Sequence, residues 1–150
     1  MEIREFITFL LAPIGYAGLT TVTVLAARGR IPPLLLRATV AIIVLHVLLV
    51  WHVRYEWALS EATRNGYGGF ALFHGALAAI LASTGAPFRV ARILLTVAFF
   101  VVTLGALVAT ATYDVVRVYQ VPVILIGVTG MAFLAQKRVS ALVTRRNRQT

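Results

Sequence analysis

Apolar positions along the chain gather into long runs, and polar positions are confined to the short breaks between them. Five runs, at about 6–27 (FITFLLAPIGYAGLTTVTVLAA), 34–54, 67–84, 90–113 and 119–136, approach the roughly 20 apolar residues that one helix needs to cross a bilayer. The pattern predicts an all-α integral membrane protein, a compact bundle of five transmembrane helices in a single domain over residues 1–150, with a basic tail at 137–150. The first run is too long for a signal peptide and opens on Glu2 and Glu5 instead of a basic leader, so it reads as a retained helix. The third is the shortest and opens with Gly66, Gly68 and Gly69. Glycine is common in membrane helices because it lets neighbours approach.

Charge sets the expected orientation. With the amino terminus outside, the inner segments carry Arg28, Arg30, Arg37, Arg89, Arg92, Lys137, Arg138, Arg145, Arg146 and Arg148, ten of the 14 basic residues. Basic residues favour the cytoplasmic side, so the expected topology is amino terminus outside and carboxyl terminus cytoplasmic. Tyr55, Tyr67, Tyr113 and Tyr119 and both tryptophans then fall near the outer boundary, as an interfacial aromatic belt does. The breaks at 28–33, 55–66, 85–89 and 114–118 are too short for an extramembrane domain, and helices joined this tightly are normally antiparallel neighbours.

Composition agrees and narrows the chemistry. The chain is 60% hydrophobic and 13% charged, with a mean hydropathy of +0.90, far from the roughly quarter-charged make-up of soluble domains. The net charge of +9 orients a membrane protein here; no basic, aromatic surface segment is long enough for nucleic acid. Without cysteine there are no disulfides, thiolate metal sites or cysteine nucleophiles. No acid lies inside a span, which disfavours a proton-coupled transporter, and no serine nucleophile and acid accompany a histidine. The chain is not expected to be an enzyme on its own. Thirteen arginines to one lysine resemble the usage of a GC-rich bacterial genome, so a bacterial cytoplasmic membrane is the expected location.

All three histidines sit in one neighbourhood, His46 and His52 in VLHVLLVWHVRYEW and His74 in GFALFHGALAAI. Counted from the expected outer boundary, His46 is about eight residues deep, roughly 12 Å, and His74 about seven. Two imidazoles at one depth on consecutive antiparallel helices can approach a planar cofactor from opposite faces, which is the layout of bis-histidine haem b, with His46 and His74 on the iron. Arg54, about two turns beyond His46, is placed to pair with a haem propionate. Gly66, Gly68, Gly69 and Gly75 leave room for a flat ring, and Phe70 and Phe73 can pack on it. His52, about 240° from His46, cannot join that site; His52 and Tyr67 are candidates for an outer contact or a quinone.

The alternative for the histidines is interhelical hydrogen bonding or a partner contact, worth about 1 kcal/mol; a non-haem metal lacks an accompanying intramembrane carboxylate. Two functions follow. One is a haem b-binding subunit or quinone-reactive anchor of an electron-transfer complex; the other is a cofactor-free accessory subunit that scaffolds a larger membrane complex. The expected partners are the bilayer and other membrane subunits or further copies of the chain. Gly15 and Gly18, and Gly127 and Gly130, are expected to make close helix contacts, and Pro13 and Pro122 to kink or start helices.

Overall fold

The computed structural model of the chain describes residues 3–64 and 66–146, with side chains described except at 115 and 137–146. Among these residues every regular element is helical: α1 (Ile3–Ala27), α2 (Pro33–Val53), the single turn α3 (Leu59–Ala62), α4 (Tyr67–Ser83), α5 (Phe88–Thr112), a 3-10 segment (Asp114–Tyr119) and α6 (Gln120–Arg146). The chain is therefore an all-helical integral membrane protein in which α1, α2, α5 and the stretch Val116–Gln136 are each long and apolar enough to span a bilayer. Helix α4, with 17 residues, is about 26 Å long at 1.5 Å per residue, short of the roughly 30 Å hydrocarbon core. The backbone of the basic tail continues α6 as far as Arg146.

Local sequence accounts for the helix ends. After α1 the chain turns on Gly29 at φ 92°, with Arg30 N–H donating to Leu25 O and Gly29 N–H to Ala26 O, both 3.1 Å. This is the Schellman arrangement, which needs a left-handed residue that glycine supplies without a Cβ clash. Pro32 and Pro33 open α2, and Pro87 precedes α5, where a missing amide costs nothing. Pro122 lies in the first turn of α6, as expected, whereas Pro13 is inside α1 and withholds a donor from the Phe9 carbonyl.

Helix α1 is the centre of the bundle, packed along α2 on one side and against α5 and α6 on others. A Cβ at Gly18 would lie 2.7 Å from Thr39 Oγ1, and one at Gly15 would lie 2.9 Å from Ile43 Cγ1, so these glycines set the approach of α2. Gly127 and Gly130 do the same for α6, against Tyr16 and against Phe99 with Thr20. The fully buried centre is made by Leu19, Val22 and Ala26 of α1 with Leu95, Ala98 and Phe99 of α5. Tyr16 Oη and Thr103 Oγ1 share a buried hydrogen bond of 2.7 Å, and Thr23 Oγ1 donates to Leu95 O at 3.3 Å. Among the described residues no buried polar side-chain atom lacks a partner, as a medium without water requires.

One expectation about neighbours is corrected. Consecutive α2 and α4 touch only in part, through Trp51: α2 lies chiefly on α1 and α4 on α5, where the Phe73 ring occupies the space that a Cβ of Gly105 would fill. The connection 54–66 is long enough to bridge the gap, and α2 buries only Leu36 and Thr39. The space left between α2 and α4 becomes the site.

Candidate functional site

A cavity of about 560 Å³ lies between the helices, inside the range of roughly 300–1,000 Å³ typical of small-molecule sites. Its deep end is apolar, with Leu19 and Ile80, beside the hydrogen-bonded Tyr16. Its middle carries His46, Phe70, Phe73 and His74, and its mouth, at the end of the bundle bearing connection 54–66, carries Arg54, Tyr55, Glu61, Arg64 and Tyr113. Pro13 and Phe9 also line it.

His46 and His74 both line this one cavity, but each is held by a different residue. His46 Nδ1 lies 2.8 Å from the Thr8 carbonyl of α1. A carbonyl only accepts, so Nδ1 carries the proton and Nε2 the lone pair. No hydrogen bond joins that Nε2 to another described residue, and His46 lines the cavity. His74 Nδ1 donates to Phe70 O of its own helix at 2.8 Å, while its Nε2 accepts from Trp51 Nε1–H at 3.3 Å. Its ring stacks on Phe70 with centroids 4.0 Å apart. The residue of α2 that His74 meets is thus Trp51, five residues and about 7.5 Å of helix axis nearer the mouth than His46.

Trp51 is itself fixed. Tyr55, Phe70 and His74 meet its ring edge-on, and Trp57 stacks on it at 6.2 Å. To make that stack the chain doubles back through Glu56 (φ 48°) and Trp57 (φ 62°), two successive left-handed residues that are not glycine. Such a conformation is costly unless its surroundings hold it, and Trp57 N–H donating to Trp51 O at 3.0 Å does so here.

Arg54 caps the carboxyl end of α2, lines the mouth and has no ion-pair partner among the described residues. His52 is exposed, lies outside the cavity lining and rests against Trp57 at 6.4 Å. Tyr67 is likewise exposed and outside the lining. Gly66 and Gly69 line the cavity and Gly68 and Gly75 do not, but at all four a Cβ would meet open space. Sequence reasoning missed the Thr8 carbonyl, the Trp51 indole and the Glu61–Arg64 pair at the mouth. Only the pair had a signal, its i,i+3 spacing in SEATR.

Among the described residues no group of three or more His, Cys, Asp or Glu is placed to hold a bare metal ion. A porphyrin brings its own equatorial nitrogens and asks the protein only for axial ones. The cavity joins an apolar deep end, two histidines in its middle and charged side chains at its mouth, a lining of amphipathic character. No protein-family model matches the chain, nor does any curated protein or solved structure.

Proposed function

We propose that the chain is a small haem b-binding subunit of a membrane electron-transfer complex, crossing a bacterial cytoplasmic membrane five times with its amino terminus outside. The observation that supports the reading best is His46. Metal-ligating histidines almost always donate one ring N–H to a carbonyl or carboxylate, which orients the other nitrogen as ligand. His46 has the carbonyl bond at Nδ1, has no hydrogen bond at Nε2 among the described residues, and lines the cavity. His74 has the same Nδ1–H to carbonyl bond, and with His46 it would hold the group if Trp51 gave up its Nε2. Bound there, haem b supplies one-electron transfer, and the protein contributes the axial nitrogens and an apolar wall. The short α4 is the fifth span, with the glycines at its mouth end in open space.

The Trp51 to His74 bond favours a second reading, in which His74 stays engaged and only His46 meets the ligand. A quinol hydroxyl donating to His46 Nε2 suits that case, and the chain is then a quinone-binding or accessory subunit. The visible spectrum of the full chain, purified or titrated with haem, separates the two. A reduced α band of haem b with low-spin coordination is expected, abolished by His46→Ala or His74→Ala and intact in His52→Ala. Protein that neither carries haem nor takes it up overturns the haem reading.

A further inference from the structure

The cavity is charged at one end only, and its charge there is not balanced. Three charged residues line it, Arg54, Glu61 and Arg64. Glu61 holds Arg64 at 3.4 Å, with both side chains at least half exposed, while Arg54 has no acidic partner among the described residues. Helix α4 starts at the same mouth. Its Gly66 cap lines the cavity and no side chain caps its first amides, so the positive end of its dipole adds to the arginines. An outer-side arginine also runs against the bias that places basic residues on the inner side of the membrane. The other two arginines at this end, Arg4 and Arg117, do not line the cavity, and Arg117 is paired with Asp114 at 2.9 Å.

We infer that the mouth is an anion site that takes the carboxylate end of an amphipathic ligand, with Arg54 as its free guanidinium and Arg64 as a second that Glu61 holds until the ligand arrives. The inference rests on the cavity being a cofactor site but not on iron being the cofactor's centre. A planar guanidinium and a carboxylate form a two-pronged, charge-assisted pair, and the apolar body of the ligand then extends past His46 toward Leu19 and Ile80. Glu61 acts as a placeholder: a ligand carboxylate competes with it for Arg64. A haem propionate and a fatty-acid carboxylate share this chemistry.

The test uses the full chain in nanodiscs of neutral lipid and three probes: iron protoporphyrin IX as the free acid, its dimethyl ester, and oleate. The free acid is expected to bind at least about tenfold tighter than the ester, which corresponds to about 1.4 kcal/mol. Arg54→Gln should remove that difference by weakening the free acid alone, and Glu61→Gln should tighten it. Arg54 is exposed and has no ion-pair partner among the described residues, so its replacement leaves the packed core untouched. Oleate binding that depends on Arg54, with no uptake of either porphyrin, supports the anion site while ending the haem reading. Equal affinities for acid and ester, or an Arg54→Gln variant that weakens both alike, overturn the anion site and leave the haem reading standing. Failure of all three probes overturns both.

Discussion

Replacing Trp51 by phenylalanine removes one donor and keeps most of one ring. The lost bond, Trp51 Nε1–H to His74 Nε2, is 3.3 Å long, at the weak end of its kind, so its net worth is about 1 kcal/mol. The edge-on contacts of Trp51 with Phe70 and His74, at ring separations of 6.1 and 6.0 Å, are worth about 0.5–1.5 kcal/mol and survive in large part with a phenyl ring. If His74 is the second axial ligand, haem must first take its Nε2 lone pair from Trp51, so the indole bond opposes ligation. Trp51→Phe should then bind haem about fivefold more tightly, the equivalent of about 1 kcal/mol, and show a larger six-coordinate, low-spin fraction. A Soret-band titration of the two proteins, with the visible bands reporting spin state, measures both quantities. Thermal unfolding of the haem-free proteins supplies the control, in which the variant should lose a little stability. A variant that binds haem no better than the wild type, with an unchanged spin state, refutes the reasoning and leaves His74 a structural partner of Trp51.

Two further predictions concern the bundle itself. A reporter fused after Thr150 should be cytoplasmic and one at the amino terminus outside; both on one side would mean that α4 does not span. Gly130→Ala should cost about 1–3 kcal/mol in unfolding of the purified protein, because its Cβ would lie 2.7 Å from the fully buried Phe99 ring. Gly75→Ala, with nothing within 4 Å, should be close to neutral, and equal losses at the two positions would contradict the packing described.

Much of the fold was legible because a bilayer makes a coarse demand. Backbone groups in hydrocarbon must be bonded within the segment, so a long apolar run is already a helix. The runs at 6–27 and 34–54 match α1 and α2 to within three residues at each end. The small-residue positions were also readable, since Gly15, Gly18, Gly127 and Gly130 stand where helices approach too closely for a Cβ.

The site was legible only as a neighbourhood. Residue counting put His46 and His74 at one depth, and both line the cavity, yet their partners lie 38 and 23 positions away, at Thr8 and Trp51. Counting also made α2 and α4 neighbours; they do meet through Trp51, but the main packing of α2 is on α1 and that of α4 on α5. The physical reason is rotation about the helix axis. In water an amphipathic stripe fixes which face turns inward, but a helix apolar on every side carries no such mark when lipid is as apolar as its neighbours. Rotation is then settled by close contacts that exist only in the assembled bundle: Thr39 against Gly18, Phe73 over Gly105, and the Thr8 carbonyl receiving the proton of His46.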